Sequence, residues 1–381
     1  MNLLKLLKML KKNPRFIVLG ILVIFAAIFV IAKTANFYPF LFNLLFNKDI
    51  NLKQVNPHKL NILILGVGGG NHEGPNLTDT IMLASIDEEK NKLTLTSLPR
   101  DLWIPELSGS NKKINTAYSY GELKRKGGGL KLTEAVVRKV TGQNIDYGIK
   151  IDFSGFVAAV DIIGGLDINV ENTLDDYAYP LSGKEDDTCG NSDENIKEFI
   201  ATGPAELEIQ EKFSCRYTRL HFDKGPTHMD GETALKFVRS RHALGLEGSD
   251  FARSRRQQQI ISAFKNKVFS AETLVNPVKL INLYNTIKSS IDTDIKYEEL
   301  DDFVKLAQKM SKSKVESVVI DYGDESSQRD GLLLEAPISE EYNYLSVLVP
   351  RVGNGNFSEI SKYIACEIEQ GNCRVTPTPK N

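Results

Sequence analysis

Residues 61–98 read NILILGVGGGNHEGPNLTDTIMLASIDEEKNKLTLTSL. Three apolar runs, Asn61 to Val67, Thr80 to Ile86 and Leu93 to Leu98, are set apart by a glycine-rich loop and by the charged turn DEEKNK, the punctuation expected of successive strands. NILILGV is apolar on both alternating sets of positions, as in a strand covered on both faces. Downstream the period changes. Helical patterns over Ala117 to Lys124 and Leu132 to Val140 precede a short strand at Tyr147 to Ile151, and a helix over Phe153 to Ile163 stops at Gly164-Gly165. Strands followed by helices in this order predict an α/β sandwich whose strand ends carry polar residues.

The N-terminus sets the expected compartment. MNLLKLLKMLKKNPR carries Lys5, Lys8, Lys11, Lys12 and Arg15 with no acid, and the apolar run Phe16 to Ala32 follows. That run is just long enough to span a bilayer, and positive charge before it predicts a cytoplasmic N-terminus with the rest outside. A cleaved signal peptide competes, but AKTAN, with Lys33 inside it, is a poor cleavage site. The expected layout is a basic tail at 1–15, a transmembrane signal anchor at 16–35, a linker at 36–57 and a main domain at 58–320. A polar insertion near 181–222 and a C-terminal extension at 321–381, disordered at its TPTPKN end, complete it.

With 47 basic and 49 acidic side chains the net charge is −2, so no generally basic, nucleic-acid-binding surface is expected. Cys189 and Cys215 bracket the insertion, and Cys366 and Cys373 lie near the C-terminus. Two local disulfides are the natural pairing outside the membrane, but four cysteines allow three pairings and the sequence does not choose. Zinc is disfavoured, because neither pair has C-x-x-C spacing and no histidine stands at ligand spacing.

Against this balanced background one stretch stands out. FVRSRHALGLEGSDFARSRRQQQ, residues 237–259, holds Arg239, Arg241, Arg253, Arg255 and Arg256, with Glu247 and Asp250 as its only acids. Guanidinium groups grip phosphate oxygens bidentately. The apolar stripe Ile260, Phe264 and Val268, extended backward, turns Gln257, Arg253 and more obliquely Arg256 inward, with Arg255 opposite. An inward arginine needs an anion, and two sources stand open: bound phosphate, or internal salt bridges.

Two acids sit at strand ends, Asp79 in LTDTIML and Asp101 in SLPRDLWIP. Singly, each reads as a turn former or cap. As a pair they suit Mg2+, which takes one or two carboxylates plus water and phosphate oxygens, and Arg100 beside them adds phosphate-binding capacity. Gly66, Gly68, Gly69 and Gly70 match neither a P-loop nor a dinucleotide fingerprint and read as a loop.

TDTIMLASID, SLPRD, KINTAYSYG, IDFSGF with VDIIGGLDINV, MDGETALKFVRSRH and DFARSRRQQQ follow one another in the order found in LytR-CpsA-Psr proteins, which this chain resembles from Asn61 to about Val268. The resemblance implies an α-β-α sandwich with a central mixed β-sheet and a hydrophobic lipid pocket. It also implies an extracytoplasmic phosphotransferase that moves a glycopolymer from a polyprenyl-pyrophosphate carrier to peptidoglycan, with Mg2+ as cofactor and the lipid bilayer as a further partner. By residue, Asp79 and Asp101 match the metal-binding acids, and Arg100 with Asp101 form the catalytic PRD motif. Arg239, Arg241, Arg253 and Gln257 match the pyrophosphate ligands. Lys113 and Tyr120 are expected near carrier or glycan. Two departures from the family pattern, Thr116 where histidine is frequent and Ala252 in DFAR, remove no phosphate ligand. A lipid-pyrophosphate hydrolase would use the same residues with water, and a non-catalytic envelope-binding protein would need none of them.

Overall fold

The computed structural model describes residues 47–375 apart from 48, 71–73, 110, 182, 185, 269, 271–281, 284–290 and 325–328. The expected anchor at 16–35, the basic tail, most of the linker and the TPTPKN end lie outside the described residues. No helix among the described residues is long and apolar enough to cross a membrane. The chain divides into two compact units. The smaller pairs residues up to Leu52 with Lys296–Gln308, where Lys305 donates to Asp301 at 2.8 Å and to Asp302 at 2.9 Å. Everything below concerns the larger unit, Lys53–Ile295 with Lys309–Asn381.

Three strands open it: β1 (Lys59–Val67), β2 (Thr78–Asp87) and β3 (Lys92–Ser97). Helices α1 (Ala117–Lys124) and α2 (Gly129–Thr141) lead to β4 (Tyr147–Asp152) and α3 (Phe153–Ile163). Next come β5 (Leu166–Val170) and β6 (Leu174–Pro180), then α4 (Asp193–Ala201) and α5 (Glu206–Lys212). Strands β7 (Tyr217–Phe222) and β8 (Gly225–Met229) precede α6 (Gly231–Arg239) and α7 (Asp250–Val268). Strands β9 (Ile291–Thr293) and β10 (Lys314–Val319) and the C-terminal helix α8 (Ser358–Glu369) complete the frame.

One six-stranded sheet in the order β10-β3-β2-β1-β4-β9 forms the centre. It is mixed: β1 pairs antiparallel with β2 and parallel with β4, while β10 runs parallel to β3. Both faces are covered, as the unbroken apolar pattern of NILILGV requires. Leu63, Leu65, Ile81 and Leu83 face a core shared with Tyr118 of α1, Val137 of α2 and Ile360 and Ile364 of α8. The alternate residues Ile62, Ile64, Met82 and Ala84 pack against Ile261 of α7. One residue along α7, Ile260 joins a second core with Val160 and Ile163 of α3, Ile168 of β5 and Phe237 of α6. Helix α7 is thus wedged between two apolar layers, which fixes its rotation and aims its N-terminal turn.

The expected boundaries hold closely at α1, α3 and the first four strands. Asp152 caps α3 by accepting from Gly155 N at 2.8 Å, and Gly164, at φ +89°, ends it in a backbone conformation open to glycine. The insertion is the tip of a hairpin, since β6 and β7 pair antiparallel from Leu174 with Phe222 to Pro180 with Tyr217. Cys189–Cys215 and Cys366–Cys373 form the two local disulfides. Beyond residue 320 the chain rejoins the same core through α8.

Candidate functional site

The turn after β3 carries Pro99, Arg100 and Asp101, and it is built by hydrogen bonds to two distant segments. Ile114 N donates to Leu102 O at 2.8 Å and Asn115 N to Arg100 O at 3.2 Å, docking KIN onto PRD. Leu348 N donates to Asp101 O at 3.0 Å and Trp103 N to Leu348 O at 2.8 Å, so the C-terminal segment holds the other side. Side chains follow this frame. Arg100 Nη1 donates to Asp79 Oδ1 at 2.6 Å, Arg100 Nε lies 3.4 Å from Asp101 Oδ2, and Lys113 Nζ donates to Asp101 Oδ1 at 2.7 Å. Two carboxylates and two cations therefore alternate along one row. Thr116, the departure in KIN, is buried and donates its hydroxyl to Lys113 O at 2.7 Å, bracing the turn that presents Lys113.

Arg239 ends α6, where its guanidinium stacks on Phe153 at 4.5 Å from the ring centroid. The following RSRH turn is gathered by Asp176, which is fully buried. Its carboxylate accepts from Ser240 Oγ at 2.7 Å and from the backbone N–H groups of Arg241 and His242 at 3.3 Å each. Arg253 and Gln257, four apart on α7, share one face, and Gln257 Nε2 donates to Thr80 Oγ1 at 3.1 Å. Ala252 of DFAR is fully buried, so its methyl group points away from any ligand.

These segments meet in one cleft of about 220 Å3 lined by Asp79, Thr80, Arg100, Phe153, Tyr179, Pro180, Val238, Arg239, Arg241, His242, Arg253 and Gln257. Four arginines and one aspartate share this wall with the polar side chains of Thr80, Tyr179, His242 and Gln257 and with the apolar Phe153, Pro180 and Val238, a net positive field suited to a polyanion. Burial pushes the Tyr179 phenol further up from a value already well above neutrality, so the wall carries a neutral hydroxyl.

Of the expected site residues, the structure brings Asp79, Arg100, Arg239, Arg241, Arg253 and Gln257 onto this cleft. It sets Asp101 and Lys113 one step back, behind Arg100. Tyr120 donates its hydroxyl to Asn111 O at 2.8 Å and supports that loop rather than lining the cleft. Of the inward arginines, Arg256 meets an internal anion. Arg256, only 3 % exposed, is held by Glu247 Oε2 at 2.9 Å and by the carbonyls of Phe237, Ser240 and Glu247, so it is a structural ion pair. Arg255 reaches the exposed side with half its side chain in solvent. Phe153, Tyr179 and Asp176 were not expected. Phe153 lies far in sequence from Arg239, and nothing local in LDDYAYP marks Asp176 as the buried acceptor.

Asp79 and Asp101 offer the hard oxygen ligands that Mg2+ prefers, and in this structure both carboxylates are bridged by the Arg100 guanidinium. Among the described residues, the one triple of ligand-type side chains close enough to share a metal is Asp187, Cys189 and Cys215. Its sulfurs are bonded to each other, so it offers no thiolate.

A family model described as the LytR_cpsA_psr family matches residues 45–340. A polyisoprenyl-teichoic acid–peptidoglycan teichoic acid transferase TagU of Bacillus cereus is 27 % identical over 252 residues, 65 % of this chain and 64 % of that one. The cell wall biosynthesis protein LcpA of Corynebacterium glutamicum is 27 % identical over 60 % of this chain and 40 % of its own. The chain thus spans less than two thirds of the length of either relative. The crystal structure of Bacillus subtilis TagV superposes with a TM-score of 0.52 at 22 % identity, covering 83 % of this chain and 99 % of that one, which shows a shared fold.

Proposed function

The chain belongs to the LytR-cpsA-psr family, and from that premise we propose that it is a phosphotransferase that moves a glycopolymer from a polyprenyl-pyrophosphate carrier to peptidoglycan. The observation that carries this reading is the convergence of Arg100, Arg239, Arg241 and Arg253 with Asp79 in one cleft, from four separate stretches of chain. The names of the TagU relatives supply the substrate class, teichoic acid and peptidoglycan.

Phosphoryl transfer asks a protein mostly for positioning and charge stabilisation. Arg239, Arg241 and Arg253 hold the pyrophosphate, and the ring of Phe153 keeps Arg239 flat against the wall. Gln257 supplies a neutral donor beside them. Arg100 stands beside Asp79, close to where negative charge grows on the leaving oxygen. Asp79, with Asp101 as the second acid, would hold Mg2+, which would supply further charge neutralisation there. The acceptor sugar hydroxyl forms the new phosphorus–oxygen bond at the phosphate next to the donor sugar. The bond to the bridging oxygen breaks, polyprenyl phosphate departs with the electron pair, and the hydroxyl proton passes to water.

The anchor at 16–35, with the catalytic unit outside the membrane, belongs to the same proposal. It is supported by the basic residues before the apolar run and by two disulfides, which persist in oxidising compartments.

The test is product analysis. The full chain in detergent is incubated with a polyprenyl-pyrophosphate oligosaccharide, peptidoglycan fragments and Mg2+, and then again with a chelator. A phosphodiester-linked conjugate that needs the ion supports the reading, whereas sugar phosphate released without conjugate points to a hydrolase.

A further inference from the structure

The row Asp79, Thr80, Arg100, Arg253 and Gln257 has two sides. One faces the cleft just described; the other faces a slot of about 40 Å3, room for about three waters. The slot is closed by Ser97 and Ser254 and, from the C-terminal segment, by Asp321, Tyr322 and Leu348. It is too small for a sugar ring and large enough for a hydroxyl-bearing arm.

Tyr322 stands at this slot as a half-exposed aromatic, 52 % exposed, on backbone that is held firmly. Asp321 is buried; its carbonyl accepts from Leu332 N at 2.8 Å and Leu333 N at 2.9 Å, and its carboxylate accepts from Gly323 N at 2.7 Å. Gly331 packs so closely on the Tyr322 backbone that a Cβ there would lie 2.0 Å from the Tyr322 carbonyl carbon. A half-exposed aromatic ring beside a small slot that mixes the polar Ser97, Ser254 and Asp321 with the apolar Ile81, Leu98 and Ile320 matches a pyranose, whose C–H face packs on a ring while its hydroxyls reach polar partners.

In-line displacement adds direction. Attacking and leaving oxygens lie on opposite sides of the phosphorus. A pyrophosphate held in the arginine cleft would take its acceptor from the side opposite its leaving oxygen, and the slot lies across the shared row from that cleft. Resting on the transferase reading, we propose that the slot and Tyr322 form the acceptor subsite, where a glycan-strand sugar stacks on Tyr322 and passes its hydroxyl into the slot toward the phosphorus. The new bond joins that oxygen to the phosphorus, the bridging oxygen leaves on polyprenyl phosphate, and the proton is released to water.

The experiment uses the full chain and a soluble peptidoglycan glycan fragment, first without donor and then in the transfer assay. Tyr322→Ala is expected to weaken fragment binding by calorimetry and to raise the acceptor KM about tenfold, with donor affinity unchanged; Tyr322→Phe retains both. Fragment binding and acceptor KM that are equal in wild type and Tyr322→Ala would overturn the proposal, as would an equal loss of donor affinity. Failure of the transferase reading has its own signature, donor bound and no conjugate formed by wild type, and the donor-free binding comparison stands apart from it.

Discussion

Arg253 and Arg256 lie three residues apart on one helix and have opposite duties. Arg253 faces the cleft, and Arg256 is sealed against Glu247 and three carbonyls. Arg253→Ala is expected to lower the transfer rate about a hundredfold with the melting temperature nearly unchanged, as when a donor to a charged transition state is removed. Arg256→Ala leaves the buried Glu247 with Asn172 at 3.0 Å and the half-exposed Arg255 at 3.7 Å and strips three carbonyls of their donor, and a loss of about 3 kcal/mol in urea unfolding is expected. Equal melting of the two variants would show this division to be wrong. The arginine run announced an anion site but only partly its division of labour. A four-residue step back from Ile260 lands on Arg256 and a three-residue step on Gln257, so the stripe admits both inward, and the identity of each anion is a tertiary fact. Asp176 is less legible still. A buried carboxylate that gathers the N–H groups of Arg241 and His242 leaves no trace in LDDYAYP.

At the scale of elements the strands were readable because each carries its own period and its own breaks, as the match of NILILGV to β1 shows. Contacts of the C-terminal segment with the PRD turn were not, since Leu348 meets Asp101 and Trp103 across more than two hundred residues of chain. Edge strand β10 is held partly by Glu316, whose carboxyl lies below the usual range because Lys314 and Lys92 both hydrogen-bond it. A depressed carboxylate contributes stability above its unfolded value near 4.5 and loses it as pH falls through the folded one. The Glu316 contribution should thus be constant near neutrality and fall below about pH 4.5, giving a shallower acid decline of unfolding free energy in Glu316→Gln; identical acid limbs would remove this contribution. The hairpin tip is a separate matter. Helix α4 has no buried residue, and Cys189–Cys215 closes the segment that contains it. Removing this disulfide alone, with Cys189→Ala and Cys215→Ala, should open protease cutting within 190–214 while the core melts as before, and resistance equal to that of the unaltered protein would count against a local role.

Seen as a whole molecule, a chain of nearly balanced charge concentrates four arginines on one cleft. On the proposed reading, that local field would draw a polyanionic donor to the cleft. Orientation is the second prediction at this scale: a reporter active only outside the membrane, fused after residue 375, should be active, and a cytoplasmic signal would contradict the proposed compartment. The central claim is chemical, and mass spectrometry of products tests it most directly. Donor, peptidoglycan fragments and Mg2+ are incubated with wild type, Asp79→Ala and Arg253→Ala. The account predicts a phosphodiester-linked glycopolymer conjugate with wild type and about a hundredfold less with each variant. Conjugate formed at the wild-type rate by both variants would contradict it.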